Sequence, residues 1–128
     1  MRNELGKEGE SLKFQFVVYP QKVGVIRLFG ELDHHETEKV RRELSETILQ
    51  GQIETLIWNL EHLKFMDSSG IGLVLGRNRE LEVVRGQMVI LNPSSTVKKI
   101  FTFAGLLGNV AYNTEEQAVL EARGIRHG

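Results

Sequence analysis

The sequence predicts an α/β fold: a small, mostly parallel sheet of successive βα units, with an antiparallel N-terminal edge strand and about four helices. Three observations carry this. Short apolar runs at 23–29, 56–60 and 88–91 alternate with longer stretches whose apolar residues recur every three or four positions. An Asp, Ser or Thr stands at the head of each longer stretch, and these residue types cap helix N-termini. The first two strand-like runs are joined only by Pro20-Gln21-Lys22, so they form an antiparallel hairpin. The strand–helix alternation that follows implies parallel strands with right-handed crossovers.

Taken in order, residues 1–11 are charged, contain glycine and offer little to bury, which predicts a polar tail. Residues 12–19 read as the first strand, with Phe14 and Phe16 on one face, and 23–29 as the second. Gly30-Glu31-Leu32-Asp33 then leaves the strand. Asp33 with Glu36 fits a capping box in its Asp variant. The helix it opens runs to about Leu49, with Val40, Leu44 and Ile48 on one face, and Gly51 ends it. Residues 56–60 form the third strand and 61–64 a short connector. A second helix spans about 69–84, with Ile71, Val74, Leu75, Asn78 and Leu81 on one face, and Arg85-Gly86 stops it. A fourth strand at 88–91 ends at Asn92-Pro93. Ser94 or Ser95 caps a third helix, with Val97, Ile100, Phe101 and Ala104 inward, and Gly105 and Gly108 break it. Residues 110–112 form a last short strand. Thr114 with Gln117 is another capping box, so a fourth helix runs to about Arg123, with a tail at 124–128.

With 128 residues the chain forms one domain, expected at 12–123. It has no cysteine, which excludes disulfides, thiolate metal sites and cysteine nucleophiles. The formal net charge is −1 with scattered Lys and Arg, so no nucleic-acid footprint is expected. No apolar run approaches the roughly 18 residues that cross a bilayer, and the N-terminus lacks a signal-peptide core, so no membrane partner and a cytoplasmic location are expected.

The chemistry concentrates between the third strand and the second helix. Asp67, Ser68 and Ser69 put an acid and two hydroxyls at a helix N-terminus, where orphan N–H groups and the helix dipole favour an anion, phosphate included. Taken alone, Ser68 and Ser69 could simply be helix caps, and so could Asp33. Open α/β sheets gather functional loops at the carboxyl ends of their strands. Three such loops are expected here, at 31–34, 66–69 and 92–96. If the second and third strands are neighbours, Asp33 and Ser68 share an edge.

Two segments carry a family resemblance. Met66-Asp67-Ser68-Ser69-Gly70-Ile71-Gly72-Leu73-Val74-Leu75-Gly76-Arg77 resembles the phospho-acceptor segment of the STAS-domain anti-sigma factor antagonists, and Gly30-Glu31-Leu32-Asp33-His34-His35 resembles a second segment of the same proteins. The likeness extends over about 12–122 and is nearer the sporulation type than the general-stress type. It implies a single STAS domain that acts as a binding protein rather than an enzyme, with no cofactor of its own. It implies phosphorylation of Ser68, the first serine after Asp67, with Ser69 structural beside it. The implied partner is an anti-sigma factor that is also a serine kinase with bound ATP or ADP. A manganese- or magnesium-dependent serine phosphatase would reverse the modification. Asp33 would serve docking or kinase action as well as capping. The expected partner surface comprises Asp33, Asp67, Ser69, Gly70 and Gly72, with Arg77 at its rim.

Other readings are weaker. Gly70, Gly72 and Gly76 serve either close packing or a bare path beside Ser68. They are not a dinucleotide fingerprint, because Leu75 stands where the third glycine belongs, and no phosphate-binding Gly-Lys-Ser/Thr occurs. His34 and His35 are adjacent and cannot chelate one metal from one helix face, so no metal is expected. Met66 stands where a hydrolase nucleophile elbow requires glycine. Arg77, Arg79, Glu80, Glu82 and Arg85 read as a solvated face. A STAS module that binds a nucleotide or other ligand for a sensory or transport system is the remaining class.

Overall fold

Five strands form one sheet in the order β1-β2-β3-β4-β5 in the computed structural model, which describes residues 13–124. They are β1 (Phe14–Tyr19), β2 (Val23–Leu32), β3 (Thr55–Met66), β4 (Gln87–Leu91) and β5 (Val110–Ala111). β1 pairs antiparallel with β2, and every later pairing is parallel. The helices are α1 (His34–Leu49), α2 (Ser68–Val83), α3 (Ser95–Phe103) and α4 (Glu115–Ala122), with a 3-10 turn at Leu107–Asn109. No helix among the described residues is long and apolar enough to cross a membrane. The tail expected at 1–11 lies outside the described residues, as does Leu12, and so does the C-terminal tail beyond Gly124. Gly124 itself closes α4 in the left-handed region (φ 78°).

The topology dictates the layers. Parallel strands added in sequential order with right-handed crossovers place every connecting helix on the same sheet face. That face carries the main core: Ile26, Leu28, Trp58, Leu60 and Ile90 from the sheet meet Val40, Leu44 and Ile48 of α1, Leu73, Val74 and Leu81 of α2, and Val97 and Phe101 of α3. α4 follows the last strand, belongs to no crossover, and covers part of the opposite face, where Ala118 and Val119 meet Val23, Val25, Ile57 and Leu91. Its N-terminus is pinned to the sheet. Arg27 donates to Glu115 through Nε and Nη2 (2.9 and 2.6 Å), and Asn59 donates to the same carboxylate at 2.9 Å. Burial pushes the Glu115 carboxyl up, but the bonds from Arg27 and Asn59 outweigh it and hold the group below the usual carboxylate range.

Two boundaries differ from the sequence reading by three residues or more. β2 does not end at Phe29 but continues through Leu32. β3 does not end at Leu60: residues 61–64, expected as a connector, are strand, and it runs on to Met66. The reason is two register shifts, opposite Arg27/Phe29 and Gly30/Glu31, each adding one residue to β3. Beyond the first, the buried positions of β3 are Leu60, Leu63 and Met66, three residues apart. A bulged strand loses the period of two by which strands are recognised.

The α2 face is also offset from expectation. Its buried residues are Gly70, Leu73, Val74, Arg77 and Leu81, whereas Ile71 and Asn78 are only half-buried. α2 then ends at Arg85 (φ 60°) and Gly86, where a Cβ would strike the Glu54 carbonyl oxygen.

Candidate functional site

β2 and β3 end in register, Leu32 beside Met66. The next residue on each chain segment is an aspartate, and each caps a helix. Asp33 accepts from the backbone N–H of Glu36 at 2.9 Å, so the capping role read from the sequence holds. Asp67 accepts from the N–H of Ser69 at 2.9 Å. Parallel pairing of β2 with β3 therefore brings the Asp33 and Ser68 segments together on one edge, as expected.

The two serines are not equivalent. Ser69 donates its hydroxyl to Asp67 Oδ1 at 2.5 Å. That bond, assisted by the Ser69 and Gly70 N–H groups and the charge of His34, holds the Asp67 carboxyl below the usual range. Ser68 is exposed, its hydroxyl makes no hydrogen bond among the described residues, and it is the first residue of α2. Neither serine is the cap, because Asp67 fills that position. The arrangement thus presents one unengaged hydroxyl at the positive end of a 16-residue helix.

The glycines divide between the two roles. Gly70 is buried, and a Cβ there would lie 2.8 Å from Met66 Sδ and 2.9 Å from Met66 Cβ, so it serves close packing of α2 on the end of β3. Gly72 is exposed with open space around it. A Cβ at Gly76 would likewise meet nothing within 4 Å, so these two leave a bare strip behind Ser68.

Arg77 is a correction. The sequence places it on a solvated face or at a partner's rim, but it is 6 % exposed. Its Nε donates to Glu80 Oε1 at 2.8 Å, and Ser45 of α1 donates to Glu80 Oε2 at 2.7 Å. Arg77 therefore belongs to the seam between α1 and α2. Sequence reasoning misses Glu80 and Ser45; a charged residue four positions from Leu73 and Leu81, on their stripe, is the available signal.

The third loop does not join the other two. β4 ends at Leu91, opposite Asn59, while β3 continues seven residues to Met66, roughly 20 Å of strand. Asn92 is instead tied to Asn113 by bonds in both directions (2.6 and 3.1 Å). Among the described residues no three His, Asp or Glu side chains gather as a metal site would require.

The chain matches the STAS domain model over residues 17–118. It is 54 % identical over 117 residues to an anti-sigma F factor antagonist of Lysinibacillus sphaericus, covering 91 % of this chain and all of the relative. Among solved structures it is similar to the anti-sigma factor antagonist SpoIIAA in its unphosphorylated form, with a TM-score of 0.85, 54 % identity, and coverage of 89 % of this chain and 99 % of that one. It is also similar to the Bacillus cell fate determinant SpoIIAA in the phosphorylated form, with a TM-score of 0.79, 53 % identity, and coverage of 84 % and 97 %.

Proposed function

The chain belongs to the STAS-domain family, on its sporulation-type anti-sigma factor antagonist branch, and from that premise we propose that it is a partner switch set by phosphorylation of Ser68. Unphosphorylated, it binds an anti-sigma factor and so releases the sigma factor. The anti-sigma factor is also the kinase, with ATP or ADP bound, and works in the cytoplasm with this chain as its substrate rather than as an enzyme. A metal-dependent serine phosphatase returns the chain to its binding form.

The observation that carries the reading is the exposed Ser68 hydroxyl, unengaged among the described residues, directly after one capping aspartate and on the same sheet edge as the other. In the transfer, Ser68 Oγ bonds to the γ-phosphorus of ATP, the bond from that phosphorus to the β-phosphate oxygen breaks, and ADP leaves. The hydroxyl proton passes to a base on the kinase. Asp33 and Asp67 supply charge and shape at the edge where the kinase docks.

The product switches binding through electrostatics. A phosphate adds about −1.5 to −2 charges. Two unit charges about 6 Å apart repel by roughly 3 kcal/mol at an effective dielectric of about 20. Acidic groups of a partner seated over Ser68 then oppose the complex, and a few kcal/mol is about 10²- to 10⁴-fold in affinity. Within the chain, the α2 N-terminus stabilises the phosphate, so no large backbone change is needed.

The test is incubation with the anti-sigma F factor of the same organism and ATP, followed by intact mass and peptide mapping. One phosphate on Ser68 is expected, with loss of binding to the ADP-loaded partner. Phosphate on Ser69 alone, or no phosphate with a demonstrably active kinase, overturns the reading.

A further inference from the structure

The sheet face that carries α4 is only partly covered. α4 begins at Glu115, pinned by Arg27 and Asn59, and runs from there over Val25 and Val23 toward the other end of the sheet. Its cover stops one register step short of Phe29. Beyond that point the same face continues as Phe29 and Glu31 on β2, with His62 and Phe65 as their register partners on β3. The Phe29 and His62 rings stack with centroids 5.8 Å apart. Phe65 is 47 % exposed, and neither it nor Phe29 nor His62 belongs to either core cluster.

This patch is built by the two bulges of β3. Each adds a residue opposite β2, and together they set His62 and Phe65 beside Phe29 and Glu31. Bulges are concentrated beside functional sites, where they re-aim side chains. The patch is also continuous with the acceptor edge: Phe65 is three residues before Ser68, and Glu31 is two before Asp33.

Surface area points to the occupant. A stable interface buries about 800 Å² on each partner, over roughly 20–30 residues. The caps and the acceptor are only a handful of residues at one edge, so a macromolecule seated over Ser68 must also cover adjacent surface. The side-chain-poor Gly72 strip offers one direction, and the aromatic patch offers the other, with the ring-rich chemistry of binding hot spots.

We propose that the anti-sigma factor that reaches Ser68 also seats an apolar side chain on the Phe29–His62–Phe65 patch. The proposal rests on the reading of the Ser68 edge as that partner's contact. The patch anchors the unphosphorylated complex, while Ser68 sets whether it persists.

The probe is the anti-sigma F factor of the same organism, purified with ADP and titrated against the full chain. Phe65→Thr, which keeps strand propensity and removes the ring, should weaken binding about tenfold or more, while Phe65→Tyr retains it. Phe103→Ser, at an unrelated site 93 % exposed, should change nothing. Ser68→Asp in the same assay tests the underlying reading by itself. With the unmutated chain, amide NMR signals of Phe29, His62 and Phe65 should shift or broaden when the partner is added, which requires no variant to fold. Wild-type affinity for Phe65→Thr, with Ser68→Asp still abolishing binding, overturns the patch and leaves the switch standing. Loss of self-association in Phe65→Thr with partner affinity unchanged assigns the patch to a second copy and also overturns the proposal. If the unphosphorylated wild type fails to bind, both readings fall.

Discussion

Asp33 and Asp67 hold matching positions one residue beyond the register partners Leu32 and Met66, and each caps the helix that follows. They differ in what they hold. Among the described residues the Asp33 carboxylate accepts only the Glu36 N–H, whereas the Asp67 carboxylate accepts both the N–H and the hydroxyl of Ser69. Asp67 thereby occupies one serine of the pair and leaves the other free, and this asymmetry separates Ser68 from Ser69 on physical grounds.

The first prediction tests that division. Ser69→Ala should still accept phosphate at Ser68, and Ser68→Ala should accept none. Ser69→Ala also removes the largest cause of the low Asp67 pKa, so an NMR titration of Asp67 should move up toward the ordinary carboxylate range. The sign follows from linkage: a carboxyl depressed in the folded state contributes stability above its unfolded pKa and loses it as pH falls through the folded value. Wild type should therefore be more stable than Ser69→Ala above the unfolded carboxyl pKa, and that advantage should shrink as pH falls through the folded Asp67 value. An Asp67 titration unchanged by Ser69→Ala would show that the hydroxyl bond is not what depresses it.

The second separates glycines that the sequence groups together. Gly70→Ala places a methyl against the Met66 Cβ, which cannot swing away, and should cost roughly 1–3 kcal/mol. Gly72→Ala has open space and should gain up to about 1 kcal/mol from helix propensity. Gly72→Leu should fold as well as wild type yet bind the anti-sigma factor more weakly. Thermal unfolding and a binding titration on the three variants decide it, and wild-type affinity for Gly72→Leu would remove the bare strip from the contact.

The third concerns the α1–α2 seam. Glu80→Ala leaves the buried Arg77 guanidinium without its carboxylate and should cost roughly 3 kcal/mol. Replacing both, as Arg77→Met with Glu80→Ala, should cost less than Glu80→Ala alone, because no uncompensated charge remains. Urea unfolding of the single and double variants gives the coupling directly. Additive losses would mean that the pair carries no coupling.

Local signals made most of the fold legible, because they were strong and agreed with one another. The hairpin turn, the caps at Asp33 and Thr114, the cap left open between Ser94 and Ser95 and filled by Ser94, and the stops at Gly51 and Gly86 each act within a few residues. What escaped was set by pairing between distant segments. The bulges of β3 exist only relative to β2, so residues 61–64 read as a connector and the exposed sheet face at Phe65 is not visible in the sequence. Arg77 read as surface because its charge outweighed its place between Leu73 and Leu81; the fold buries it by supplying Glu80. At the site, capping chemistry alone left Ser68 and Ser69 interchangeable, and the family resemblance chose between them. The geometry adds the cause: Asp67 Oδ1 takes the Ser69 hydroxyl.

The last prediction separates the two roles of Asp33. As a cap it needs only an oxygen to accept the Glu36 N–H, and Asn provides one about as well as Asp. As a docking group for the kinase it needs its charge. Asp33→Asn removes the charge and keeps the shape, so it should unfold at nearly the wild-type temperature while Ser68 is phosphorylated more slowly or the kinase is bound more weakly. Asp33→Ala should show the same docking defect and, in addition, a stability loss of about 1 kcal/mol from the orphaned N–H. Thermal unfolding and initial phosphorylation rates on both variants give the answer. Should Asn match wild type in both assays while Ala loses stability alone, Asp33 acts only as the cap of α1.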